Sequence, residues 1–209
     1  MKIIKIVTGE LSENCYIAYD ELTKNGVVID PGDDADKISD AISKHGIELK
    51  YILFTHGHFD HIKAYFELKE EYPDTCLAFS KNEAELISDP EKSLLSIFQK
   101  SFPEIKADTL LSEGDEIIFG NSSLKVIETP GHTKGSICFY NDGILFAGDT
   151  LFHLGMGRCD LPTGSLKEEV NSITSKLFSL PDDTVVYSGH GANSTIGFEK
   201  ENNEVYAWL

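Results

Sequence analysis

The chain has 209 residues, 41% of them hydrophobic and 25% charged, an ordinary globular composition that excludes a disordered chain, a coiled coil or a collagen-like repeat. That length suits one domain spanning 1–209 and can bury roughly 70% of the unfolded chain's surface, so disulfide staples are not needed. Eighteen basic against 35 acidic residues leave a net charge of −17, so the basic footprint expected of a nucleic-acid or anionic-membrane binder is missing.

The opening residues, Met1 to Glu10, carry no apolar core of signal-peptide length, and no stretch approaches the roughly 20 apolar residues of a membrane span. Cys15, Cys76, Cys138 and Cys159 are scattered, with neither a C-x-x-C pair nor zinc-knuckle spacing. They read as reduced thiols, mostly buried, and the expected compartment is the cytoplasm.

The first 30 residues read as a strand meander. Asn14 to Tyr19 and Val27 to Asp30 are β-rich, and Asn25-Gly26 between them predicts the hairpin turn. Asp33 or Asp34 is placed to cap a helix with Ile38, Ala41 and Ile42 on one face, stopped at Gly46. Tyr51 to Phe54 is a continuous apolar run, as in a strand covered on both faces. A helix through Ile62, Tyr65, Phe66 and Leu68 follows, then a strand at Cys76 to Phe79. Ser80 with Glu83 has the pattern of a capping box. Residues 88–108 are irregular and interrupted by Pro90 and Pro103, with Leu94, Leu95, Ile97 and Phe98 as an amphipathic piece. Strands are then expected at 116–119, 123–128, 136–140 and 144–147. After a turn-rich stretch, Ser165 with Glu168 opens a helix, and a strand at 184–187 and a terminal helix end the chain. No linker divides it, and the alternation points to layered α/β.

The chemistry concentrates in Thr55-His56-Gly57-His58-Phe59-Asp60-His61, an H-x-H-x-D-H loop directly after a buried strand, where open α/β sheets place ligands. Turns favour Gly, Asn, Asp, Ser and Pro, so three imidazoles in one loop point to metal rather than to a solvated turn. Three further strands end in Gly followed by His or Asp, at Gly131-His132, Gly148-Asp149 and Gly189-His190. Each glycine would let the backbone turn sharply and approach a shared site. His56, His58, His61, His132, His190, Asp60 and Asp149 exceed what one tetrahedral ion needs. They fit two ions sharing a carboxylate, and a closed thiolate site is absent.

The H-x-H-x-D-H loop followed by G-H-T, G-D-T and S-G-H-G resembles the metallo-β-lactamase superfamily over nearly the whole chain. Gly148 to Phe152, Gly157 to Pro162 and Thr195 to Lys200 are similar to the glyoxalase II branch, and to its short bacterial members in particular. The resemblance implies an αββα four-layer sandwich, two mixed β-sheets flanked by helices, with the metals at one edge. It also implies that His56, His58 and His132 hold a first ion, that Asp60, His61 and His190 hold a second, and that Asp149 bridges them. The chain departs from the branch in three places. Lys63 stands where Gly is usual, Cys159 stands where Thr is usual, and nineteen residues follow His190, so the helical glutathione-binding domain of the longer enzymes is expected to be missing.

Two divalent ions, Zn2+ first with Fe or Mn as alternatives, would lower the pKa of a shared water to near 7. The metal-bound hydroxide would then cleave a thioester of the hydroxyacylglutathione kind, or a related ester, with Asp60 and Asp149 as catalytic carboxylates and Asp60 orienting the nucleophile. The expected partner is therefore a small-molecule substrate, with no nucleic acid and no membrane. The main alternative on the same fold is an iron-dependent, persulfide dioxygenase-like redox enzyme. Arg158 is a candidate substrate-anion or outer-shell residue, weighed equally against a surface ion pair. Asp30 is read as a turn residue before Pro31 sooner than as a partner of a ligand imidazole. Residues 88–108, with Phe98 and Phe102, are expected to overhang the site as a substrate wall, at even odds with a plain core-packing helix.

Overall fold

The computed structural model describes residues 1–97 and 103–209. Six strands form the first sheet: β1 (Lys2–Thr8), β2 (Glu13–Tyr19), β3 (Asn25–Ile29), β4 (Glu48–Leu53), β5 (Cys76–Ser80) and β6 (Thr109–Leu111), in that spatial order. The first three strands pair antiparallel, as a meander must, and β3 through β6 pair parallel. Their crossovers carry α1 (Ala35–His45), α2 (Phe59–Ile62), α3 (Tyr65–Glu71) and α4 (Ala84–Ile87). The second sheet, also mixed, contains β7 (Glu116–Phe119), β8 (Ser122–Glu128), β9 (Ile137–Asn141), β10 (Ile144–Gly148), β13 (Val185–Ser188) and β14 (Ser194–Thr195). A small hairpin, β11 (Leu151–Phe152) and β12 (Gly155–Met156), leads to α5 (Leu166–Asn171), and α6 (Ile196–Asn202) follows β14.

The period-2 alternation of the strands sorts the apolar residues into three layers. Tyr16, Ala18, Val27, Ile29 and Leu53 of the first sheet face Phe119, Val126, Phe139 and Phe146 of the second. Ile17, Val28, Ile52 and Phe54 point the other way, onto Ile38 and Ile42 of α1 and Ile62 and Leu68 beside the ligand loop. Leu145, Ala147 and Val186 pack outward against Val170, Ile173 and Ile196. The result is helix, sheet, sheet, helix. Each fully buried Leu, Ile or Phe contributes on the order of 1.5–3 kcal/mol relative to exposure, so the three layers are mutually dependent. No helix among the described residues is long and apolar enough to cross a membrane.

Several local expectations are corrected. Asn25-Gly26 is not the hairpin turn: both residues lie in β3, with Gly26 paired to Tyr19. The turn is made by residues 20–24, where the Asp20 carboxylate accepts from the amides of Leu22 and Thr23 and Lys24 adopts a left-handed φ of 65°. Gly26 is needed for packing instead, since a Cβ there would stand 2.6 Å from Ile47. Asp34 does precede α1, but its side chain caps nothing in the helix and accepts from Gly9 and Lys37. Ser80 accepts from Asn82, whereas Glu83 turns into the protein and closes no capping box. Of residues 88–108, Leu95 is buried in the core and Ile97 is 68% exposed, while Phe98 and Phe102 lie outside the described residues. The four cysteines are free; Cys15 and Cys138 are buried, and Cys76 and Cys159 only partly so.

Candidate metal centre

Four strands deliver the expected side chains to one edge of the sandwich. The loop after β4 supplies His56 and His58, α2 supplies Asp60 and His61, and the loops after β8, β10 and β13 supply His132, Asp149 and His190. Close approach is what the glycines permit. A Cβ on Gly189 would fall 2.2 Å from Asp149 Oδ1 and 2.7 Å from the His61 ring, and one on Gly157 would fall 2.0 Å from the Asp149 carbonyl oxygen.

Two groups of potential ligands stand side by side. His56, His58 and His132 bring one nitrogen each within 4.8 Å of one another, and Asp60, His61 and His190 do the same with one atom each, as do Asp30, His56 and His61 behind them. Asp149 lies between them. Its Oδ1 is 3.3 Å from His61 Nε2, and its Oδ2 is 3.8 Å from His132 Nε2 and 3.7 Å from His190 Nε2.

Outer hydrogen bonds set the tautomers. His132 Nδ1 donates to the Arg158 carbonyl oxygen at 2.7 Å, His190 Nδ1 to that of Leu11 at 3.2 Å, and His61 Nδ1 to the Asp30 carboxylate at 3.1 Å. Those oxygens can only accept, so in the neutral imidazole each Nε2 presents a lone pair inward. His132 Nε2 then has His58 Nδ1 at 2.9 Å and His56 Nε2 at 3.2 Å, and one lone pair cannot serve both. Tetrahedral nitrogen ligands around zinc stand about 3.3 Å apart, given bonds of about 2.0–2.1 Å. His61 Nε2 and Asp149 Oδ1 are buried without a hydrogen-bond partner. A divalent cation in each group would resolve both defects, and the residues fit it.

The electrostatics of the two groups differ in sign. Burial pushes His56 and His132 below the ordinary imidazole range. Burial, then the neighbouring His132, takes His58 down to about 3. For His61 burial also works against the charge, but Asp149 and Asp60 outweigh it and raise the pKa. His190 is raised as well, because its bond to Asp60 and the charge of Asp149 exceed the effect of burial. Burial likewise opposes ionisation of Asp149 and Asp60, and the His61 charge beside them overcomes it and lowers both.

Three buried carboxylates hold these loops from behind. Asp30, 2% exposed, accepts from Thr55 N at 2.7 Å and Thr55 Oγ1 at 2.6 Å as well as from His61. It is therefore the partner of an imidazole, contrary to the preferred sequence reading. Glu83 accepts from Gly57 N and Thr133 Oγ1, both at 2.9 Å, and burial pushes it up to about 7. Glu169 accepts from His132 N at 2.8 Å, and burial pushes it up to about 9. Sequence reasoning missed both glutamates, because each sits in a first helical turn where acidic residues are usually solvated. Arg158 is exposed, and its guanidinium grips Asp160 through two bonds of 2.7 Å; only its carbonyl oxygen touches the site. Ser188 is buried with its hydroxyl donating to Leu151, and Cys159 is pushed up to about 12 by burial, so neither is an activated nucleophile.

Asp60 also lines a cavity of about 190 Å3 that includes Leu11, Asp33, Phe59 and Lys63. Lys63, the departure noted above, pairs with Asp33 at 2.6 Å on its wall.

Known proteins are similar to this chain in sequence and in fold. The chain is 33% identical over 210 residues to the hydroxyacylglutathione hydrolase GloC of Haemophilus influenzae, covering 97% of each. Among solved structures, the BLEG-1 B3 metallo-beta-lactamase superposes with a TM-score of 0.88 at 32% identity, covering 97% of this chain and 98% of that one. TTHA1623, solved in a di-iron-bound form, superposes at 0.84 and 31%, covering 96% and 98%. The sequence profile of the metallo-beta-lactamase superfamily matches residues 8–190, and the chain belongs to that superfamily.

Proposed function

We propose that the protein is a dinuclear metal-dependent hydrolase that cleaves a small thioester of the hydroxyacylglutathione kind. The observation that carries this reading is the place of Asp149, within 3.3–3.8 Å of His61, His132 and His190 and so between the two ligand groups. His56, His58 and His132 would hold one ion and Asp60, His61 and His190 the other, with Asp149 shared. When bound, such a pair supplies an activated water and a Lewis acid for a carbonyl oxygen. The chain's own contribution is position and charge. Asp30, Leu11 and Arg158 keep protons on the outer nitrogens, so the inner lone pairs stay available. Asp60, at the cavity edge, would orient the attacking water through its carboxylate.

The cavity beside Asp60 is smaller than the roughly 300–1,000 Å3 of sites that enclose a drug-sized ligand. It suits the acyl end of a thioester between Leu11 and Phe59, with the carrier outside. Similarity to GloC supports the substrate class. Elemental analysis of purified protein beside a panel of S-lactoylglutathione, a small ester and a β-lactam tests it. About two ions per chain and preference for the thioester are expected, and preference for the β-lactam or ester would overturn the substrate class. The likeness to TTHA1623, with its di-iron form, favours one second reading, an iron redox enzyme. Iron in the protein with oxygen consumed on a persulfide would replace hydrolysis.

A further inference from the structure

His190 is the most exposed of the candidate histidine ligands, at 28% of its side chain, and it sits in the last of the four loops. The start of the chain holds that loop. Asn14 N donates to Gly189 O at 2.7 Å, and the Asn14 side-chain amide donates to Ser188 O at 2.9 Å and Gly191 O at 3.1 Å. Tyr16 Oη adds a bond to Ser188 O at 2.7 Å and Lys5 Nζ one to Gly191 O at 2.7 Å. The carbonyls on both sides of His190 are thus occupied by the hairpin of β1 and β2, from about 175 residues away. The amide of Asn14, itself 2% exposed, reaches the carbonyls before and after the ligand together.

We infer that Asn14 is a positioning residue for His190, and that the N-terminal hairpin thereby sets the occupancy of the second metal position independently of the first. The inference rests on the dinuclear reading above. An aliphatic side chain at position 14 would leave the carbonyl of Ser188 short of one donor and that of Gly191 with only the Lys5 ammonium. The loop would then hold His190 less firmly beside Asp60 and Asp149, on the bonds from the Asn14 backbone, Tyr16 and Lys5 alone. Among the described residues, no bond of this kind reaches His56, His58 or His132, whose supports are Thr55, Glu83, Glu169 and the Arg158 carbonyl.

The test is a zinc titration of the full chain under graded chelator, with stoichiometry read by elemental analysis. Asn14→Ala is expected to keep one ion at the original affinity and bind the second 10- to 100-fold more weakly, the range seen when outer-shell partners are removed. Asn14→Ser, with one hydroxyl donor, falls between. Ile17→Val, a loss of packing in the same strand, is expected to lower the melting temperature while both ions stay. In the metal-free protein, amide exchange at residues 188–191 should rise in Asn14→Ala and not in Ile17→Val. Parallel weakening of both ions in Asn14→Ala, or unchanged affinity and unchanged exchange, overturns the positioning role. A wild-type chain that never takes a second ion overturns the dinuclear reading and this inference with it, a result distinct from either.

Discussion

The two groups of candidate ligands differ in how they are built. His56, His58 and His132 are at most 3% exposed and contain no carboxylate, and the surroundings hold them neutral. Asp60, His61 and His190 combine one fully buried imidazole with two side chains at the solvent edge, 15% and 28% exposed, and its acids draw protons onto its imidazoles. The first group is a set of neutral imidazoles whose lone pairs suit a cation. The second is a hydrogen-bonded acid and imidazole cluster in which a proton can stand in for one. The same residue types therefore give a tight, dry position and a more open, proton-competitive one, and only the second faces the cavity.

Removing one ligand from each group should show the contrast most strongly. His58→Ala is expected to cost both the buried ion and more than about 100-fold in activity, beyond the 10–100-fold range of outer-shell partners. His190→Ala should leave one ion bound, as elemental analysis would read. The ion left in His190→Ala is expected to resist a chelator that strips the ion left in His58→Ala, and equal resistance breaks the comparison.

Acid should separate them next. In the metal-free state the acids beside them let His61 and His190 take up protons at higher pH than an ordinary imidazole, whereas His58 resists until about 3. Each proton displaced costs about tenfold in apparent affinity per pH unit below the ligand's pKa. The second ion is therefore expected to leave first, giving a one-ion plateau in metal content against pH. Simultaneous loss of both ions would show that the two positions share one affinity.

Asp30→Asn sharpens the picture behind the second group. It removes the acceptor of His61 Nδ1, so the second ion should weaken about 10–100-fold while the first is retained. The variant also weakens the acceptor for Thr55 N, and a lowered melting temperature is expected alongside. At the small end is Arg158→Ala. The guanidinium is exposed and turned to Asp160, and the bond to His132 comes from the backbone, so metal content and melting temperature should stay unchanged within error. A fall in KM-governed activity alone would restore Arg158 as a substrate residue.

Most strands and helices were legible in the sequence because each is set by local patterns. Alternation, apolar runs and the Gly46 stop are readable within a few residues of where they act. Where local signals misled, tertiary packing had taken the residue for another purpose. Gly26 was needed against Ile47 instead of in the turn, and Glu83 under Gly57 instead of at a helix end. A Gly or a Glu has the same local signature in either role.

By itself the sequence determined which side chains could meet a metal, because H-x-H-x-D-H is compact and each of the other ligands follows a strand and a glycine. Only the tertiary structure decided how they divide and what holds them. Asp30 lies 31 residues from His61, His132 lies 74 from His58, and Asn14 lies 174 from Ser188. A hydrogen bond across such a separation leaves no periodicity and no spacing in the chain. It exists because two sheets stacked face to face bring the ends of β2, β4, β8, β10 and β13 to one edge.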